Sequence, residues 1–472
     1  FAAAVLTGDR SGLSRHTLDT MRASNLAHLL AISGLHMGLL TGFVFLVVRF
    51  GVAAVPWLAL RTDGRKVAAC VALVAAAGYL ALSGGSVATQ RAFVMAAVML
   101  CAVLLDRRAL TLRAVALAGV LILVFRPESL LSAGFQMSFA ATTALVWVFS
   151  AIRDAKIGRA PKWAAPVLGL IISSAVAGLA TGPVGAAHFN QVAQYGIVAN
   201  LFAVPVMGFL VIPMAVLALC LSPLGLSWIG LWFMGLGCQW ILGVAETVST
   251  WPDATRAIIA PPGWVLPTIM LGCLWMILVR GGVKWAGLAP MAVAFLAWSE
   301  AERPPILISS SGALVGVLHA DGRQLNKPRG DGFVARSWLE NDGDHREQPE
   351  SAWMGKGVFT ADVGGVTVRQ GTAARLRKDG TGCGGADILI SPHAAEGDTR
   401  DCWVLDAKAL KQTGSVALWP GSDGIEAIAA NDLAGVRPWT GPSKPDAAKQ
   451  TLLGNEQESG VFTTLLARLT DQ

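Results

Sequence analysis

A stretch of 83 residues, 163–245, contains no Asp, Glu, Lys or Arg. Because a helix that crosses the hydrocarbon core of a bilayer needs about 20 mainly apolar residues, this stretch alone is long enough for about three to four crossings. Of the 472 residues in the chain, 54% are hydrophobic and only 14% are charged, compared with about 25% charged in an ordinary soluble domain. The sequence therefore predicts a polytopic α-helical membrane protein.

Lys and Arg are concentrated in short loops between the apolar segments. Residues 1–300 contain 19 Lys and Arg against 9 Asp and Glu, whereas residues 301–472 contain 18 against 22. Cytoplasmic loops of membrane proteins carry such a positive excess, so we assign these loops to the cytoplasm and do not interpret them as a nucleic-acid patch. The basic loops are 61–66, 106–113, 153–162 and 280–284.

The hydropathy pattern predicts about ten spans, with broken or re-entrant helices among them. With ten crossings, a lead-in at 1–27 and a tail at 301–472 both lie on the extracytoplasmic side of a membrane domain at 28–300. The stretch 49–61 is too short to span and is expected to lie along the inner surface or to re-enter. The predicted spans are 28–48, 66–83, 90–105, 109–126, 134–152, 166–187, 196–220, 226–248, 264–280 and 285–299.

The composition becomes polar and Gly-rich after Arg303, which predicts a small soluble α/β or α+β domain. Alternating apolar residues predict its strands, and two further stretches predict short helices. The predicted strands are 313–319, 365–370, 386–391 and 414–419, and the predicted helices are 432–437 and 461–470.

Two of the seven cysteines, Cys383 and Cys402, lie in the tail. If the tail is extracytoplasmic, a disulfide between them is plausible, because disulfides persist in oxidising compartments. No other cysteine accompanies them, so a zinc site is not expected.

The segment HLLAISGLH (28–36) places His28, Ser33 and His36 where the first predicted span begins. Polar groups at membrane depth are costly and commonly functional. Either the histidines bond neighbouring helices or they line an aqueous path. On a straight helix the two rings would lie about 12 Å apart along the axis, so only a break, which Gly34 can supply, would bring them together.

Arg91 begins an otherwise uncharged span. A charge at the centre of a membrane helix costs about 2.5–3.5 kcal/mol on insertion scales. Its side chain therefore either reaches the interface or faces the bundle interior, where a guanidinium suits phosphate or carboxylate.

Two further stretches combine polar and apolar residues. Gln136 and Ser138 begin one span, and residues 181–209 contain many polar groups, two of which are Asn190 and Asn200. Prolines at membrane depth predict broken helices, which are tolerated where backbone is buried or lines a wet cavity. The alternative is a kinked bundle with its amides bonded across helices. The two prolines taken as helix breaks are Pro183 and Pro205.

The sequence contains no G-x-x-x-x-G-K-[ST], no H-E-x-x-H and no G-x-S-x-G pattern. We therefore expect no P-loop, no metal or other cofactor and no enzymatic activity, and any directed transport must draw energy from a partner or a gradient. Ser33 and His36 lack a recognisable orienting carboxylate, which makes a membrane hydrolase a weak alternative.

Four separated blocks resemble the ComEC family of competence proteins, over residues 6 to about 300. The first block includes HLLAISGLH, which is close to that family's signature. The blocks are 6–40, 86–95, 126–145 and 196–209.

The resemblance implies a channel that passes single-stranded DNA through the bacterial inner membrane during natural transformation. It also implies an OB-fold domain before the membrane core, so we expect an N-terminal portion ahead of Phe1. The partners implied are single-stranded DNA, membrane lipids, a periplasmic DNA receptor, a cytoplasmic helicase-type ATPase and a second copy in a homodimer. The translocation path would use His28, Ser33, His36, Arg91, Gln136, Ser138, Asn190 and Asn200.

Many members of the family carry a metallo-β-lactamase-like domain after the core, with an H-x-H-x-D-H pattern. Here the nearest residues are Asp342, Asp344, His345 and His393, without paired histidines. We therefore expect a shortened, degenerate relative of that domain without metal. Alternatives to the DNA channel are a small-molecule or lipid transporter and a family member that no longer transports.

Overall fold

The computed structural model describes residues 1–30, 32–155, 161, 163–355, 357–363, 365–379, 382–394, 402–421 and 424–435. The chain forms two compact units. One consists of Phe1–Arg256 and Leu266–Ala292, and the other of Ala257–Val265 and the chain from Val293 onward. The boundary between the two compact units, after Ala292, lies a few residues before the predicted boundary at 300.

The first unit is helical, and its short helices and turns connect longer apolar ones. The α-helices, the last of which continues into the second unit, are Ala2–Leu6 (α1), Arg15–Ala23 (α2), Gly34–Ala54 (α3), Pro56–Ala59 (α4), Gly64–Leu82 (α5), Val87–Leu104 (α6), Leu112–Phe125 (α7), Ala133–Asp154 (α8), Ala165–Phe189 (α9), Gly196–Val206 (α10), Ile212–Leu221 (α11), Ser227–Ser249 (α12), Val265–Leu278 (α13) and Leu288–Ser299 (α14).

Shorter elements connect these helices. The 3₁₀-helices are Ala27–Leu29, Pro127–Leu131, Ser222–Leu224 and Gly282–Gly287, and a π-helical turn covers Met207–Val211. Two short strands, Gln191–Ala193 (β1) and Thr255–Ala257 (β2), pair with each other.

Within the described residues, seven helical segments are long and apolar enough to cross a membrane: α3, α5, α6, α8, α9, α12 and the continuous segment Gly196–Leu224. The helices α7 and α13 are apolar but shorter, with 14 residues each. A mostly helical chain with several candidate membrane spans is therefore confirmed, whereas the predicted number of ten spans is not.

The predicted start of the first span is wrong. Residues Ala27–Leu29 form a 3₁₀ turn, Ser33 is extended with φ −123° and ψ 176°, and α3 begins only at Gly34. The same helix then continues to Ala54, through part of the stretch that the sequence suggested was too short to span.

Small residues bring the helices of this unit together. Ala68, Ala69, Ala72 and Ala76 are fully buried on α5, which packs against both α3 and α6. Small side chains allow close approach of helix backbones where both partners are apolar. In the same region the Tyr79 hydroxyl donates a hydrogen bond of 2.6 Å to the Val5 carbonyl, which attaches α1 to α5.

A second core lies between α2, α10, α11 and α12. Its largest fully buried side chains are Met21, Leu26, Leu29, Met207, Met234 and Ile241.

The second unit continues as a mixed α/β structure of two sheets. The strands are Ile306–Ile308 (β3), Val315–His319 (β4), Gly322–Leu325 (β5), Phe359–Val363 (β6), Val366–Gln370 (β7), Ile388–Ile390 (β8), Trp403–Leu405 (β9), Val416–Gly421 (β10) and Gly424–Ala429 (β11). The helices are Gly332–Asn341 (α15), Ala373–Asp379 (α16), Ala407–Thr413 (α17) and Ala430–Ala434 (α18).

One sheet has the order β11-β10-β3-β4-β5 and is antiparallel, with Ile308 opposite both Val315 and Val416. The other has the order β6-β7-β8-β9, in which only the β6–β7 pair is antiparallel. Buried Val, Ile and Leu side chains from both sheets form one core.

The four predicted tail strands are confirmed as β4, β7, β8 and β10. The predicted helix at 461–470 and the end of the one at 432–437 lie outside the described residues.

Candidate functional site

The Ser33–His36 pair caps α3 through its side chains. The Ser33 backbone N–H donates to His36 Nδ1 at 3.3 Å, and Ser33 Oγ lies 3.1 Å from the same nitrogen. Since Nδ1 accepts from the backbone, a neutral ring carries its proton on Nε2. His36 is fully buried, and its Nε2 has no hydrogen-bond partner among the residues that the structure describes. The ring thus presents an unpaired donor inside the helical unit.

His28 occupies a different element. It lies in the 3₁₀ turn before Ser33, its side chain is exposed, and its Nδ1 lies 3.0 Å from the Asn25 carbonyl, to which it donates. His28 and His36 are therefore not residues of one straight helix. Gly34 is the first residue of α3, so the helical conformation is interrupted immediately before that glycine.

Arg91 lies in the second turn of α6, with its guanidinium against the beginning of α8. A Cβ at Gly134, the second residue of α8, would lie 2.5 Å from Arg91 Nη2, so only a glycine leaves room for this approach. Arg91 Nε is buried without a hydrogen-bond partner, and no described carboxylate lies within 4 Å of the guanidinium. The beginning of a helix carries partial positive charge. Two positive groups therefore meet here without a described counter-charge, which favours an anion.

Gln136 and His188 connect α8 with α9. Gln136 Oε1 lies 2.9 Å from His188 Nε2, and Gln136 Nε2 donates to the Leu130 carbonyl at 3.0 Å. Ser138 lies two residues further along α8 and is half-buried. This contact is of the kind in which polar side chains bond across membrane helices.

The segment around α9 and α10 contains the remaining predicted residues. Asn190 ends α9 in the left-handed conformation, with φ 55°, and is buried. Asn200 lies on α10, and its Oδ1 is buried with no hydrogen-bond partner in the described part of the chain. The break predicted at Pro183 is not seen, because α9 continues through it to Phe189. After Pro205 the helix does change, into the π-helical turn.

Three described side chains in the first unit therefore contain a buried polar atom without a hydrogen bond: His36, Arg91 and Asn200. Leaving one such group unsatisfied costs about 1–3 kcal/mol. Two of the atoms are donors and the third is an acceptor. The three residues lie within the first two turns of α3, α6 and α10, and Gln136 holds the same position on α8. In the predicted alternation, all four helices begin on the extracytoplasmic side.

The acidic tail residues nearest to the family's metal-binding pattern, Asp342 and Asp344, form ion pairs. Asp342 accepts from Arg323 Nη2 at 3.2 Å and from Arg303 Nε at 3.0 Å. Asp344 accepts from Arg346 Nη2 at 2.6 Å. No group of three or more His, Cys, Asp or Glu in the described part of the tail is placed to hold a metal.

The sequence does not indicate the ionic cluster of Arg303, Arg323 and Asp342. Arg323 is fully buried. The sequence around it, DGRQL, is typical of an exposed turn, so no local signal indicates this burial. By contrast, the structure does join Cys383 and Cys402 in a disulfide.

The fold and these groups define a class: a polytopic helical membrane protein with unpaired polar side chains at the beginnings of several spans. The sequence pattern of the family described as Competence protein matches residues 5–282. This match covers more than half of the chain, and the chain belongs to that family.

Two curated relatives are similar over much of this chain. ComE operon protein 3 of Bacillus subtilis (strain 168) is 28% identical over 408 residues, which cover 83% of this chain and 49% of the relative. Competence protein ComA of Neisseria gonorrhoeae is 26% identical over 317 residues, which cover 66% of this chain and 42% of the relative. The chain thus spans about half the length of either relative. No solved structure matches it.

Proposed function

We propose that this chain forms the path by which single-stranded DNA crosses the bacterial inner membrane during natural transformation. The observation that carries the proposal is the set of unpaired buried atoms on His36, Arg91 and Asn200. The matching family and one of the two relatives are both named as competence proteins, which supports a role in natural transformation.

The chemistry of the three groups fits a nucleic acid strand. Single-stranded DNA is a polyanion with hydrogen-bonding bases, and it needs cationic donors for phosphate and contacts for bases. Arg91 and His36 Nε2 offer donors to phosphate or base oxygens, whereas Asn200 Oδ1 accepts from a base amino group. The beginnings of α3, α6, α8 and α10 add the positive ends of four helix dipoles on the proposed entry side.

The tail is proposed to lie on the extracytoplasmic side of the inner membrane. A disulfide between Cys383 and Cys402 supports this side, because such bonds persist in oxidising compartments. A cysteine replacing the exposed Phe333 is expected to react with a membrane-impermeant maleimide in intact spheroplasts, whereas one replacing Arg107 reacts only after lysis. The reverse pattern would place the tail in the cytoplasm.

The partners implied by the resemblance belong to the same proposal. We propose a periplasmic DNA receptor that delivers the strand, a cytoplasmic helicase-type ATPase that pulls it and a second copy of the chain in a homodimer. The tail is proposed as a shortened metallo-β-lactamase-like domain without nuclease activity, because its nearest acidic residues are occupied by arginines.

The test is strand entry in a host that lacks its own version of the protein. The full-length gene is supplied, labelled duplex DNA is added, and the protected internal single strand is counted. A hydrogen bond to a charged group contributes about 1.5–3 kcal/mol, so Arg91→Gln is expected to lower entry at least about tenfold. Arg107→Gln, in a basic loop, is the matched control.

A second variant displaces the same arginine without removing it. Gly134→Ala places a methyl group 2.5 Å from Arg91 Nη2 and is expected to lower strand entry, whereas Gly178→Ala, whose Cβ meets nothing within 4 Å, is expected to have no effect. If Arg91→Gln and Gly134→Ala both transport like the wild type at equal membrane levels, the arginine is not on the path. If the wild type itself admits no strand, the cargo is different or the member is inactive.

A further inference from the structure

A cavity of about 610 Å³ lies where the loop before α7 meets the end of α8. Its polar lining consists of Arg108, Thr111, Arg113, Ser150 and Arg153. In the sequence these arginines belong to two separate basic loops, 106–113 and 153–162. The positive excess of cytoplasmic loops accounts for both loops without a binding site. The structure brings Arg153, near the end of α8, next to the loop before α7 around one concave site.

The positive charge of this cavity is not neutralised by its own lining, which contains no acidic residue. Among the described residues, the only ion pair of a lining arginine is that of Arg153 Nε with Asp154 at 3.8 Å, and both side chains are mostly exposed. Asp106 is already paired with Lys66 at 2.7 Å. Arg153 Nη2 also donates to Ser150 Oγ at 3.1 Å, which orients it at the cavity. Guanidinium groups and hydroxyls of this kind bind phosphate oxygens.

An exposed apolar stripe runs along α7 from the cavity. Arg113, Leu117, Val120 and Val124 are spaced by four, three and four residues, which places them on one face of the helix. The last three are 53%, 58% and 71% exposed. With 14 residues, α7 is about 21 Å long, less than the roughly 30 Å of a hydrocarbon core. Because a charge is costly in the hydrocarbon core, the arginines at its beginning are expected at headgroup depth, beside a surface suited to an acyl chain.

We propose that this cavity binds the phosphate headgroup of an anionic phospholipid, with one acyl chain along the exposed face of α7. Basic recesses between membrane helices on the cytoplasmic side are suited to such headgroups. The apolar stripe selects a lipid over free phosphate or a nucleic acid, because neither of those can use it. The site is separate from the residues proposed to contact DNA.

The experiment measures lipid retention by the full chain purified in detergent. Native mass spectrometry counts bound phosphatidylglycerol or cardiolipin against phosphatidylcholine with the same acyl chains. Each arginine near a membrane surface contributes about 1 kcal/mol toward an anionic lipid, so retention of the anionic lipids is expected to fall about fivefold for each arginine replaced in R108Q/R113Q/R153Q. Phosphatidylcholine retention is expected to stay unchanged.

The matched control is R61Q/R65Q/R107Q, which removes the same charge from basic loop positions that do not line the cavity. Equal lipid retention in the two triple variants would overturn the proposal. Displacement of the lipid by millimolar inorganic phosphate, or by a thymidine oligonucleotide, would overturn it in favour of a phosphate or nucleic-acid site. If the triple variant fails to insert, the single change Arg113→Gln carries the test, with Arg107→Gln as its control.

Discussion

The contact between α11 and α12 leaves no room for a methyl group at Gly230. A Cβ there would lie 2.6 Å from the Ala218 nitrogen, 2.7 Å from the Met214 carbonyl oxygen and 2.8 Å from the Ala218 Cα. All three are backbone atoms, which no rotamer change can move aside. Gly230→Ala is therefore expected to push the two helices apart.

The size of this displacement follows from the distances. Ordinary contact begins at 3.4 Å, so the shortfall is about 0.6–0.8 Å, from 3.4 minus 2.8 and 3.4 minus 2.6. Moving packed backbones by this amount costs about 1–3 kcal/mol in overpacked cores. The better helix propensity of Ala returns up to about 1 kcal/mol. A net loss of about 1–2 kcal/mol is expected.

The same helix provides the control, because a Cβ at Gly235 meets nothing within 4 Å. Both variants are purified in one detergent, and their unfolding is followed by tryptophan fluorescence as the fraction of a denaturing detergent rises. Gly230→Ala is expected to unfold earlier than the wild type, whereas Gly235→Ala unfolds at the same point or later. Equal midpoints for the two variants would refute the close approach of α11 and α12.

Three further predictions concern the tail and are checked by pulse proteolysis of the full chain. Asp342→Asn is expected to cost about 3–5 kcal/mol, because it leaves the fully buried Arg323 without a counter-charge. Burial raises the pKa of Asp344, but hydrogen bonds from Arg346 outweigh it and hold this pKa below its ordinary value. That stabilisation is present above the ordinary carboxyl pKa and is lost as the pH falls through the lowered one, so Arg346→Gln should destabilise the tail at neutral pH and lose this effect in strong acid. Cys402→Ser should cost about 2–4 kcal/mol and abolish the sensitivity of the tail to reductant. In each case, a wild-type proteolysis profile would contradict the contact concerned.

The membrane helices were largely predictable, because apolar length alone determines which segments can cross a bilayer. The beginning of α3 was not, since the apolar pattern runs unbroken from His28 to Leu40. The helix begins at a side-chain cap formed by Ser33 and His36, in which His36 takes the place that Glu or Gln more often holds in a capping box. Hydropathy contains no information about such a bond.

The candidate site was predictable in residue type but not in arrangement. A polar residue among apolar ones is visible in the sequence, and His36, Arg91 and Asn200 were found in this way. That Arg91 would lie against Gly134 depends on how α6 packs on α8, which involves residues far apart in the chain. The tail shows the same limit, because alternation predicted β10 but not its pairing with β3, more than a hundred residues earlier.

The π-helical turn at Met207–Val211 acts as a rotational joint inside one long span. One extra residue in a turn changes the helical phase by about 100°, so the turn sets which way the half before it faces relative to the half after it. Removing a single residue there would leave the 29-residue segment Gly196–Leu224 helical and apolar while rotating Asn200 away from its present direction. The segment would still be able to span the membrane, but Asn200 would no longer point in its present direction. An insertion assay alone would therefore register no defect.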